Sequence, residues 1–158
     1  DPVFVLAVIM TESRFHPDAR GTSGEIGLMQ ILPKTGEWIA NKHNIPWKGE
    51  SSLYHPVTNV RIGVRYFAML REKFSDRPGY YVPAYNMGPA NVRKVYRAIA
   101  SADPESELPK PTFKYASKVM ANYNRFYKHI ATQKREFDKQ LAAGKNPEPT
   151  PPGRRKFF

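Results

Sequence analysis

"ESRFHPDARGTSGEIGLMQILPKTG", residues 12–36, begins with a carboxylate, Glu12, set close behind an apolar run from Val3 to Met10. That order is unusual, because an acid stands where a buried helix ends. Asp1-Pro2 makes a good helix start, an N-cap followed by proline at the first helical position. Val5, Val8, Ile9 and Glu12 then fall at i, i+3, i+4 and i+7, while Val3, Leu6, Ala7 and Met10 form a second apolar stripe. A helix apolar on most faces is a core helix. It is predicted to end near Phe15, because the residue before Pro17 disfavours helical backbone. Residues 16–27, with Pro17, Gly21, Gly24 and Gly27, read as an irregular loop. Pro33 opens a short helix that runs to about Lys42.

Outward from this stretch, helical periodicity dominates and strand signals are poor. Residues 43–55 read as a surface connection. Pro56 starts a helix with an apolar face of Val60, Val64, Phe67 and Ala68, fading near Phe74. Pro78-Gly79 reads as a turn, Tyr80 to Asn86 as a helix, and Val92, Val95 and Ile99 mark another at about 90–100. Residues 101–111 are polar and proline-containing, hence a loop. From Tyr115 through Val119, Tyr123, Phe126 and Ile130 the helical period returns and extends to Phe137 and Leu141, with Gly144 as the stop. The expected fold class is all-α, with one domain over residues 1–143. Residues 144–158 form a proline-rich basic tail whose Phe157-Phe158 is available for packing.

The 158 residues suffice for one domain with a real core, and 41 % apolar with 25 % charged residues suits a globular protein. No apolar run approaches the ~20 residues that cross a bilayer. The absence of cysteine excludes disulfides, thiolate metal sites and a cysteine nucleophile. His16, His43, His55 and His129 lack metal-ligand spacing and no calcium loop is present, so neither metal nor other cofactor is expected. A net charge of +11 favours an anionic partner: nucleic acid, an anionic membrane surface or an acidic wall polymer. No zinc-finger or RNA-recognition signature accompanies it.

Glu12 is the first chemical candidate. Burial disfavours the charged form and raises a carboxyl pKa, and the negative end of a helix dipole acts in the same direction. A glutamic acid protonated near neutral pH is a competent general acid. The structural alternative is a glutamate paired with Arg14 or another cation.

The residues from Glu12 to Gly36 resemble the soluble lytic transglycosylase (SLT) domain, a goose-lysozyme-like family. Glu12-Ser13 matches its catalytic Glu-Ser pair, and Gly27, Leu28, Met29 and Gln30 match its Gly-Leu-Met-Gln block. In "VPAYNMGPANV" (82–92), Ala84, Tyr85, Asn86 and Gly88 match its Ala-Tyr-Asn-x-Gly block. "HPVTNVRIGVRYFAML" resembles the helix between these blocks, and "KYASKVMANY" the last helix, with Tyr115 at the family tyrosine. The likeness covers roughly residues 1–130.

This resemblance implies a lysozyme-like helical domain with a glycan-binding cleft. It implies non-hydrolytic cleavage of the β-1,4 bond between N-acetylmuramic acid and N-acetylglucosamine in peptidoglycan, leaving a 1,6-anhydro end. Glu12 is the implied acid, then base. Gln30 is expected to meet a sugar N-acetyl group, Met29 to supply an apolar wall, Tyr85 to hydrogen-bond Glu12, and Asn86 to position the loop or the sugar. Tyr115 is expected either in the cleft or in the core, and Ser13 in a structural role. Glu25 is either a second carboxylate at the cleft or a loop acid bound to backbone amides or an arginine.

Two departures stand out. The serine that often lies nine residues after the catalytic glutamate is Gly21 here, so its sugar contact is lost or taken by Ser23. Pro111-Thr112 replaces the Glu-Thr that often opens the last helix, leaving Phe113 and Lys114 to line that end. The implied partner is the peptidoglycan strand, with envelope proteins as further partners and nucleic acid not expected. The implied setting is the bacterial periplasm or envelope, with any membrane tether outside these residues, and the expected form is a monomer. A hydrolytic muramidase and a non-catalytic wall-binding module are the rival readings.

Overall fold

The computed structural model describes residues 1–102 and 110–145. The loop expected at 101–111 lies largely outside them, as do the basic cluster and Phe157-Phe158 of the tail. The described part is helical: α1 (Pro2–Glu12), α2 (Pro33–Lys42), a 3-10 turn (Glu50–Tyr54), α3 (Pro56–Lys73), α4 (Pro78–Met87), α5 (Pro89–Ala102) and α6 (Lys110–Ala142). Among the described residues there is no strand, only isolated bridges linking Arg20 to Ile26 and Ile26 to Ile31.

α1 starts as its sequence demands. The Asp1 carboxylate accepts from Val3 N–H at 2.8 Å and Pro2 occupies the first turn. The helix ends at Glu12, three residues short of Phe15, because Arg14 and Phe15 take left-handed backbone (φ 52° and 65°). Ser13 N–H still bonds Ile9 C=O, and the chain then turns away so that Ser13 is buried beside Leu28. Ala7, Val8 and Ile9 are buried, as a core helix requires.

The connection 43–55 is not all surface. Ile45 and Leu53 enter the core and Trp47 packs against it. In α3 the buried face is Asn59, Ile62, Gly63, Phe67 and Leu70; Val64 and Ala68, expected inside, are exposed. Pro78-Gly79 is the first turn of α4 and not a separate turn. Pro83 lies inside α4 and cannot donate to Gly79 C=O, four residues back. The Tyr96 hydroxyl replaces that donor at 2.7 Å, so α5 repairs the proline defect in α4. α6 runs 33 residues and packs its first half on α1. There Asn122 donates to Thr11 Oγ1 (3.0 Å), and Tyr123 donates to Asp1 (2.9 Å). α6 ends with Gly144 at φ 70°, where Gly144 N–H meets Leu141 C=O and Lys145 N–H meets Gln140 C=O, a Schellman closure. Phe137 and Leu141 keep the helical period but are exposed.

Candidate active site

The turn after α1 is pinned by side chains from three helices. Ser13 Oγ at the end of α1 donates to Leu28 C=O (2.8 Å). Asn59, fully buried on α3, accepts from Met29 N–H and donates to both Ile26 and Leu53 C=O, each at 2.8 Å. Tyr85 on α4 donates to Met29 C=O at 2.8 Å. Gly27 has φ 79°, and a Cβ there would lie 2.3 Å from Leu53 C=O and from Asn59 Nδ2, so no other residue fits this crossing. Asn59 carries no catalytic motif of its own. Its signal in sequence is a lone amide on the buried stripe of α3, where every polar atom must find a partner.

The turn forms one wall of a pocket of about 320 Å³, lined by Glu12, Ser23, Glu25, Gln30, Tyr85 and Asn86, with Tyr66 and Met87 beside them. Glu12 is partly buried. Its Oε1 accepts the Tyr115 hydroxyl at 2.5 Å, a bond reaching across from α6. The hydroxyl expected on Glu12, that of Tyr85, is instead committed to Met29 C=O, with its ring stacked on Phe67 at 4.0 Å. Desolvation by burial pushes the Glu12 carboxyl from 4.5 to about 7; the Tyr115 hydrogen bond pulls it down, and the Glu25 charge pushes it up. Burial also raises the Tyr115 and Tyr85 phenols well above the ordinary tyrosine value, so both stay protonated donors.

Glu25 lies in the loop and on the pocket at once. Its side chain accepts from Ser23 N–H at 3.0 Å, as a loop acid would, and it also lines the pocket beside Glu12. A Cβ on Gly21 would stand 2.3 Å from Glu25 Oε2 and 2.8 Å from Gln30 Oε1. The glycine departure and the inward Glu25 are therefore one feature: the carboxylate takes the room that a side chain at 21 would need. Gln30 lines the pocket, but its Nε2 donates to Gly27 C=O (2.9 Å) and Ala19 C=O (3.2 Å), leaving its amide oxygen as the free group. Met29 does not provide a wall; its side chain is fully buried, and a Cβ on Gly63 would fall 2.4 Å from its sulfur. Ser23 and Asn86 lie exposed on the rim. Tyr66, not singled out by any motif, lines the pocket with its ring 5.5 Å from Tyr85. Among the described residues no group of His, Asp or Glu is gathered for a metal.

A helical domain with two carboxylates, Glu12 and Glu25, on one polar pocket has the form of a lysozyme-like domain. The sequence profile of the Transglycosylase SLT domain matches residues 1–107, and the chain belongs to that family. It is 32 % identical over 137 residues to the soluble lytic murein transglycosylase of Salmonella typhimurium, covering 83 % of this chain and 21 % of that protein. It is 31 % identical over 109 residues to the membrane-bound lytic murein transglycosylase C of Histophilus somni, covering 61 % of this chain and 29 % of that one. In structure it matches a 70 kDa soluble lytic transglycosylase in complex with bulgecin A (TM-score 0.69, 27 % identity, 81 % of this chain and 22 % of that one). Its fold also matches an inactive glutamate-to-glutamine mutant of a Pseudomonas aeruginosa lytic transglycosylase (TM-score 0.70, 24 % identity, 83 % of this chain and 22 % of that one). The chain thus spans about a fifth of the first of these curated relatives.

Proposed function

We propose that this domain is a peptidoglycan lytic transglycosylase with Glu12 as its single acid and base. The observation that carries the reading is the Glu12 carboxyl, raised to about 7 by burial on the pocket and held by the Tyr115 hydroxyl. At neutral pH much of it is protonated, and it delivers that proton to the glycosidic oxygen as the bond to the muramyl C1 breaks. The substrate's N-acetyl group shields the oxocarbenium-like centre, which is substrate-assisted chemistry. The Glu12 carboxylate then takes the proton of the muramyl C6 hydroxyl, whose oxygen closes on C1. The acid is regenerated and no water is consumed. Gln30 Oε1 is the acceptor available to the N-acetyl N–H, and Ser23 and Asn86 are the rim contacts available to the sugars. We place the activity in the bacterial envelope, where the polymer is; no described helix is long and apolar enough to cross a membrane.

One observation favours a second reading. Glu25 faces the same pocket as Glu12, and most glycoside hydrolases use a second carboxylate. Mass spectrometry of digested sacculi separates the two. Anhydro-muropeptides support transglycosylation, and reducing ends alone would sink it in favour of hydrolysis. Glu12→Gln should abolish both products, and undiminished lysis by that variant would remove Glu12 from the chemistry.

A further inference from the structure

At the opposite end of α4 from Tyr85 lies a second pocket of about 450 Å³. Four cations from three elements converge on it: Lys73 at the end of α3, Arg77 before α4, and Arg93 and Arg97 on α5. Its floor is aromatic. Tyr80 and Tyr96 stack at 3.7 Å, Arg77 lies 6.0 Å over the Tyr80 ring and Arg93 5.8 Å over the Phe74 ring. Such stacking holds guanidinium groups in place while leaving their N–H edges free. No carboxylate among the described residues lines the pocket. The nearby Asp76 is spent on Arg71, with bonds of 2.7 and 2.9 Å.

The fold itself gains little from this arrangement. Lys73 complements the negative end of α3. Arg93 and Arg97 have no helix-end role, and as like charges at i, i+4 they destabilise α5 by a few tenths of a kcal/mol. Like charges gathered without a compensating acid among the described residues are a local conflict of the kind that functional sites retain.

We infer that this pocket is an oxyanion subsite that receives the carboxylates of the peptide stems of the wall polymer, an inference that rests on peptidoglycan being the substrate. Guanidinium forks match carboxylates bidentately. α4 has ten residues, about 15 Å at ~1.5 Å per residue, and its far end borders the Glu12 pocket. A stem of five residues, at ~3.3 Å each, spans that distance from a strand held at Glu12.

The test is a titration of the intact chain with a free stem tripeptide, followed by NMR at Tyr80 and Tyr96. The arms are the same peptide with amidated carboxylates, inorganic phosphate, and the variants Arg93→Ala/Arg97→Ala and Arg93→Lys/Arg97→Lys. The tripeptide should bind with an affinity that falls with salt, drops about tenfold or more in the alanine pair, and drops by a smaller factor in the lysine pair, which keeps the charge but loses the fork. The amidated peptide should bind at least about tenfold more weakly. Equal binding of both peptides, binding untouched by the alanine pair, or no peptide binding would each overturn the inference. Phosphate taken up at the tyrosines in preference to the tripeptide would overturn it too, assigning the pocket to another anion. None of these arms needs turnover. A failed titration leaves the anhydro-product test of Glu12 standing, and reducing-end products leave the titration standing.

Discussion

Replacing Glu12 by glutamine should stabilise the protein, and by an amount that depends on pH. The folded carboxyl sits at about 7 against 4.5 when unhindered, chiefly because burial disfavours its charge. At 1.36 kcal/mol per pH unit, that rise corresponds to about 3 kcal/mol. A group whose folded pKa is raised helps stability below its unfolded pKa, and that help is lost as pH rises through the folded value. Below pH 4.5 the acid is neutral in both states and costs nothing. Between 4.5 and 7 the folded chain binds more protons than the unfolded one, so stability falls as pH rises. Above about 7 the charge is buried in full. Glutamine is neutral throughout and still accepts the Tyr115 hydroxyl. Glu12→Gln should therefore match the parent near pH 4 and exceed it by about 3 kcal/mol at pH 8. Urea unfolding of both proteins at pH 4, 5, 6, 7 and 8 measures this, because titrating groups not coupled to Glu12 cancel in the difference. A difference that stays flat with pH, with unchanged m, would refute a raised Glu12 and with it the acid step.

The partners of Glu12 allow sharper tests. Tyr115→Phe removes the hydrogen bond that lowers the carboxyl, so the alkaline limb of the pH–rate profile should move upward from about 7 while kcat falls; an unmoved limb would show that Tyr115 does not reach Glu12 in solution. Gly21→Ser should push the flexible Glu25 carboxylate aside and, by taking its charge from Glu12, lower the Glu12 pKa, read by the same profile or by carboxyl NMR. Asn59→Ala strands Met29 N–H and Leu53 C=O, while Ile26 C=O keeps the Ile31 N–H. At ~1–3 kcal/mol per buried unsatisfied group, partly relieved by relaxation, a loss of about 3 kcal/mol or more is expected in urea unfolding. A loss under about 1 kcal/mol would mean the turn is held by other contacts.

Most of the helices were legible because proline and glycine punctuate them: Pro2, Pro33 and Pro56 open helices, and Gly144 closes α6. Where the reading failed, the deciding contact was remote. α1 stops at Glu12 because Ser13 is drawn into the turn at Leu28, fifteen residues on, a force that local periodicity does not carry. The apolar face of α3 was misplaced because its true stripe includes Asn59 and Gly63, one polar and one without a side chain, each required by Met29 packing against it. The same limit governs the site. Glu12, Glu25 and Gln30 lie within nineteen residues and could be found together, yet the hydroxyl that holds Glu12 comes from Tyr115, 103 residues away. Which tyrosine arrives there depends on how α6 docks along α1 through Asn122 and Tyr123. Tyr85, nearer in the motif pattern, is committed to supporting the turn from beneath. The two tyrosines therefore divide the work: one fixes the backbone that shapes the pocket, the other tunes the acid within it. Losing the first should cost stability before activity, and losing the second activity before stability.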